Sequence, residues 1–234
     1  MDNKPFDLEI GREQASERSF LSQVYFWMFM GLTLTGIVAA WMAVNPSLVV
    51  ALARNGGLFL VLALVQLGIV FWLSSQITRL SLMTATIGFS VYATLNGVLF
   101  SSIFLIYTGA SIAATFFVTA GMFAAISLYG YVTKRDLSSV GSFAIMLLIG
   151  VILCSLVNWF LKSEAFYWVI TYVGIGVFIA LTAYYVQKLK LIHQQGFESG
   201  EMIRKIALLG ALTLYLDFIN LFLLLLRVMG RRRN

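Results

Sequence analysis

One acid in this chain sits where acids are rare. In the run Ile206–Leu226, IALLGALTLYLDFINLFLLLL, the only charged residue is Asp217, near the middle. A run of this length suits a helix crossing a hydrocarbon core about 30 Å thick. A carboxylate at that depth costs roughly 2.5–3.5 kcal/mol on insertion scales, so it must be neutral, paired or facing water inside a bundle. The chemistry open to it is proton binding or transient contact with a cation. Gly210, Thr213, Asp217, Asn220 and Arg227 recur at helical spacing and form one stripe. That stripe is expected to face other helices, with the Leu-rich remainder left for lipid or for packing. The competing reading makes Asp217 a protonated, hydrogen-bonded packing residue.

The elements that must position this acid follow from composition. The 234 residues are 60% hydrophobic and 11% charged, with mean hydropathy +0.91, which excludes a soluble domain. The apolar runs are continuous rather than alternating, which excludes a transmembrane β-barrel. The expected fold is therefore an all-α integral membrane protein. The net charge of +6 is spread over loops and the C-terminal tail, a pattern that sets topology and touches anionic lipid rather than nucleic acid. Cys154 is the sole cysteine and His193 the sole histidine, so there is no disulfide framework and no histidine-cluster metal site. The first twenty residues carry five acids and three bases with no apolar run before Phe20, unlike a cleavable signal peptide.

Seven spans are predicted after a polar tail, 1–20, within a membrane domain covering 21–229. They run over about 21–44, 58–77, 82–107, 111–132, 142–161, 166–186 and 206–226. The first ends at Asn45-Pro46, because the residue before proline leaves the helical region. The third carries Ala93, Gly97 and Ser101 at successive fours, a small-residue ridge for close helix approach. The longest polar connection is expected from His193 to about Lys205, with Glu198 and Glu201 as solvated acids, and a basic tail occupies 230–234. The first six spans read as three hairpins without a sequence repeat. Ten Lys and Arg residues fall on the N-terminal side and six on the other, which favours a cytoplasmic N-terminus. The arginines at the C-terminus pull the other way.

The run LYLDFINLF, Leu214–Phe222, resembles the last-helix signature of the Bax inhibitor motif family. Val118–Leu137, VTAGMFAAISLYGYVTKRDL, and Tyr92–Tyr107 are similar to bacterial members, and the likeness covers about Phe20 to Arg232. The resemblance implies six helices surrounding a central C-terminal seventh, in a bacterial inner membrane. It also implies a pH-sensitive calcium leak and, in eukaryotic members, protection from cell death. The family's pH sensor is a pair of aspartates on the sixth and last helices. Asp217 matches one of them. The other belongs to an Asp-Thr-Gln motif after Ala-Tyr, where this chain reads Ala183-Tyr184-Tyr185-Val186-Gln187. Tyr185 stands in place of that aspartate, and Gln187 alone of the motif remains.

Two close carboxylates share a proton and titrate in two separated steps. With Tyr185 as neighbour that coupling is gone, and a neutral phenol able to donate a hydrogen bond to Asp217 replaces it. Calcium prefers six to eight oxygen ligands with several carboxylates. Beside Asp217 the candidate oxygens are the neutral ones of Asn220, Thr213, Tyr185 and Gln187, so weak calcium contact at most is expected, and no other cofactor. The resemblance also implies an arginine near the second helix that touches the aspartate pair. Arg79 is the nearest candidate, and it equally fits a positive-inside loop residue.

Two functions compete. One is a proton-modulated calcium or cation leak with Asp217 as gate. The other is a non-conducting membrane protein acting on partners such as membrane quality-control or stress-response machinery, with the N-terminal tail and the His193–Lys205 connection as handles. An exchanger ranks below both, since it usually needs more than one buried acid. No enzyme is expected, because the spans hold no nucleophile–base pair and no carboxylate cluster.

Overall fold

The structure, a computed structural model, describes residues 4–194 and 200–233. In chain order the helices are α1 (Lys4–Ala43), α2 (Pro46–Arg54), α3 (Gly56–Gln76), α4 (Leu82–Phe100), α5 (Ile103–Ile106), α6 (Gly109–Val132), α7 (Ser138–Leu161), α8 (Glu164–Gln194) and α9 (Gly200–Met229). Seven candidate spans result: part of α1 from Ala15, then α3, α4 with α5, α6, α7, α8 and α9. The chain is an all-α integral membrane protein, and it divides into two compact units.

The first unit comprises residues 1–102 and 189–212. Buried positions along α1 are Glu17, Phe20, Leu21, Val24, Met28, Gly31, Thr35 and Ala39, a single stripe at helical spacing. The stripe packs on α4. A Cβ added to Gly97 would come within 2.6 Å of the Val38 Cβ and 2.7 Å of the Thr35 carbonyl oxygen. The Thr35 hydroxyl donates to the Ala93 carbonyl at 2.9 Å. The small ridge on α4 is thus a helix–helix seam, as its spacing predicts. At the other end of the unit, the start of the α1 stripe meets the end of α8. Glu17 lies 3.7 Å from the Lys190 ammonium and accepts a 3.1 Å bond from Gln194.

The second unit comprises residues 103–188 and 213–234. Its apolar centre is Ala144, Val177, Phe178, Leu181, Leu221 and Leu225, contributed by α7, α8 and α9. Small residues set the spacing here too. A Cβ on Gly130 would strike the Ala183 carbonyl oxygen, and one on Gly141 would strike the Tyr184 ring. Burial is uneven among the spans: 67% of the α9 window and 50% of the α8 window are buried, against 11% for α3 and for α7. Between Lys205 and Leu226 no residue of α9 is exposed.

Three sequence expectations are corrected and one span is refined. The tail assigned to 1–20 is helical from Lys4 and continuous with the first span, because its stripe of buried residues starts at Glu17, ahead of the apolar run. The connection at 45–57 contains α2, opened by Pro46 at its first turn, where a missing N–H is harmless. The third span keeps its predicted length, Leu82–Ile106, but its helix is interrupted at Ser101–Ser102, where both hydroxyls bond back to carbonyls three residues earlier. The polar stretch from His193 to Lys205 is mostly helix: α8 runs to Gln194 and α9 starts at Gly200, with Lys205 bonded to Glu201 one turn back at 3.0 Å. Glu198 lies outside the described residues.

Candidate functional site

Asp217 lies in the second unit, on the part of α9 where no residue before Arg227 is exposed, although Thr213, Leu216 and Asn220 are only half-buried. It is 4% exposed, and its Oδ2 has no hydrogen-bond partner among the described residues. The local reason is packing. Phe218 beside it meets Phe116 and Phe123 of α6 edge-on, with centroids 5.4 and 5.5 Å away. These rings hold α6 against α9 next to the buried carboxylate. The Leu-rich flank of α9 that could have faced lipid is taken up by packing instead: Leu212, Leu214, Leu221 and Leu226 are each at most 2% exposed.

Tyr185 of α8 lies in the same unit as this acid and is half-buried. Its hydroxyl lies within electrostatic reach of the Asp217 charge, while its ring packs against the apolar centre of the unit. The structure therefore brings together the two positions singled out from the motif, but no hydrogen bond joins them. Tyr185 is held by packing, with the Tyr184 ring 5.2 Å away.

The other candidates are placed differently. Asn220 spends its amide on its own helix, donating to the Leu216 carbonyl at 2.8 Å. Thr213 lies half-buried one turn before Asp217 on the same stripe. Gln187 does not serve Asp217: its Nε2 donates to the Arg135 carbonyl and its Oε1 accepts from the Leu137 amide, both at 2.8 Å. A glutamine with both ends bonded to one loop is a clamp, and it fixes the turn between α6 and α7. Arg79 is exposed in the turn after α3, where its amide bonds to the Gln76 carbonyl. Arg227 closes the stripe at the end of α9, with its guanidinium 5.1 Å from the centre of the Tyr167 ring.

Sequence reasoning missed Ser127 on α6. Its buried Oγ, like the Asp217 Oδ2, has no partner among the described residues. Its signal was helical spacing: Ser127 follows Phe123, the ring that packs on Phe218, by four residues and shares its face of α6. For a metal the arrangement is poor. Among the described residues no three or more His, Cys, Asp or Glu side chains gather closely enough to hold an ion. One carboxylate and scattered hydroxyls fall far short of a calcium cage.

Residues 17–234 match the family model described as Inhibitor of apoptosis-promoting Bax1. The chain is 51% identical over 235 residues to the inner membrane protein YbhL of Escherichia coli K12, covering the whole of both chains. It is 43% identical to the uncharacterized protein RP147 of Rickettsia prowazekii, covering 99% of this chain and 94% of the relative. A Borreliella burgdorferi protein is 40% identical over 93% of this chain and 94% of its own length.

Proposed function

We propose, on the premise that this chain belongs to the Bax inhibitor family, that it is a cation leak whose conductance follows the protonation of Asp217. The observation that carries the proposal is the placement of this carboxyl. It is buried in the most enclosed span, and its Oδ2 lacks a donor among the described residues. Gain or loss of one proton there changes the charge of a region that has little other means of screening it. With Tyr185 where a second acid would stand, the response is that of a single site rather than a proton-sharing pair. Calcium is the cation to test first. The name of the Escherichia coli relative and the seven apolar spans support an inner-membrane location. The Lys and Arg balance supports a cytoplasmic N-terminus.

The test is calcium flux into proteoliposomes across about pH 5–8, comparing the native chain with Asp217→Asn and Tyr185→Asp. Flux that varies with pH in the native chain and loses that dependence in Asp217→Asn is the expected result. A folded native chain that passes no calcium at any pH, while Tyr185→Asp does, would sink the leak. It would support the second reading, a non-conducting protein acting on membrane partners. The observation favouring that reading is Tyr185 itself, which packs half-buried against the apolar centre in place of a carboxyl.

A further inference from the structure

The basic tail of the chain is not free. The Thr108 amide donates to the Arg231 carbonyl at 3.1 Å, and the Arg233 amide donates to the Ile106 carbonyl at 2.7 Å. These bonds flank an antiparallel bridge between Tyr107 and Arg232. The Arg231 amide also donates to the Ser111 hydroxyl at 2.8 Å. Gly230 makes the docking possible. A Cβ there would collide with the Leu226 carbonyl oxygen and come within 2.6 Å of the Tyr107 ring. The backbone of three consecutive arginines is thereby pinned to the turn before α6, while their side chains remain exposed and form no ion pair with a described residue.

The surroundings are mostly cationic. Arg227 lies on Tyr167 in the first turn of α8, and Lys162, exposed in the left-handed region with φ 50°, ends α7 just before α8 begins. Among the described residues the one acid near Lys162 in the chain is Glu164. Directly below Lys162 come Trp159, Phe160 and Leu161, which are 74%, 81% and 64% exposed. Aromatic and apolar side chains that open outward one turn below a cluster of cations mark the level of the bilayer interface.

We infer that the docked tail Arg231–Arg233, with Arg227 and Lys162, is a binding site for the phosphate headgroup of an anionic phospholipid in the leaflet where the chain ends. Guanidinium groups match phosphate oxygens with paired N–H donors. A mobile tail would lose its backbone freedom on binding, and this one has already lost it in folding. The adjoining apolar surface selects a headgroup that carries acyl chains over a soluble phosphate.

The full chain, purified in mild detergent, is mixed with phosphatidylglycerol or phosphatidylcholine, and retained lipid is counted by native mass spectrometry. The native chain is expected to retain the anionic lipid preferentially, less so as salt rises. Replacing all three arginines, R231Q/R232Q/R233Q, leaves the backbone bonds in place and should reduce retention on the order of tenfold. Gly230→Ala keeps every charge but displaces the tail, and should also weaken retention. The inference is overturned if the triple variant binds as the native chain does. It is also overturned if Lys134→Gln with Arg135→Gln, at the opposite end of α6, causes an equal loss, or if glycerol phosphate competes as well as the lipid.

Discussion

The imidazole of His193 lies stacked on the ring of Phe20, with centroids 4.9 Å apart and planes 17° apart. Its Nε2 is 3.1 Å from the Ser16 hydroxyl, and Glu17 beside it binds both Lys190 and Gln194. The start of the α1 stripe is latched to the last turns of α8 through this cluster. Phe20 is 1% exposed, so Phe20→Ala should cost about 3 kcal/mol. Faster tryptic cleavage after Arg18 would reveal the loosened latch, and an unchanged cleavage rate would contradict it.

Gln187 gives a sharper test because both ends of its amide are used. Gln187→Ala strands the Leu137 amide and the Arg135 carbonyl, at about 1–3 kcal/mol for a buried group left without its partner. Gln187→Glu keeps an acceptor for Leu137 but sets a carboxylate against the Arg135 carbonyl. Both variants should speed tryptic cleavage at Lys134 and Arg135, with Gln187→Glu no better than Gln187→Ala.

Asp136 caps the start of α7, accepting from the Ser138 amide at 2.9 Å. Bonds from the Ser138 side chain and then its backbone hold the Asp136 carboxyl below the usual aspartate range. A depressed folded value means the contribution is complete above the unfolded pKa, about 3.9, and is lost as pH falls through the folded value. The melting temperature should therefore drop at the acid end in the native chain. In Asp136→Asn the part of that drop due to this cap should disappear.

Glycines in the second unit should divide cleanly by what surrounds them. Gly130 faces the Ala183 backbone, which cannot step aside, so Gly130→Ala should destabilise by about 1–3 kcal/mol. Nothing lies within 4 Å of a Cβ on Gly150, so Gly150→Ala should be neutral or stabilise by up to about 1 kcal/mol. Unfolding curves of the two variants in the same detergent give the comparison.

The spans were legible because each is a long apolar run. Asp217 was legible because one carboxylate interrupts the last of them. What the letters concealed was polar sequence with a packed face. The residues before Phe20 and the connection starting at His193 read as tail and loop, yet Glu17 and His193 are helical and packed. The partners, Glu17 with Lys190 and Phe20 with His193, lie far apart in the chain. Gln187 was read as a neighbour of Asp217 because it shares a motif with Tyr185. On a helix, positions two apart point to different sides, and the structure sends Gln187 to the loop at 135–137. The bridge between Tyr107 and Arg232 left no local trace, since it depends on a turn and a tail more than a hundred residues apart.

Helix α7 is buried only at Gly141 and Ala144, and Met146, Ile149, Ile152, Leu153 and Leu156 stand open on its outer surface. In terms of information, these letters say little more than apolar. They could be permuted among themselves and the message would survive, whereas the two small residues that seat the helix admit almost no synonym. A sequence with many spellings on one face and one spelling on the other is what a lipid-facing helix writes.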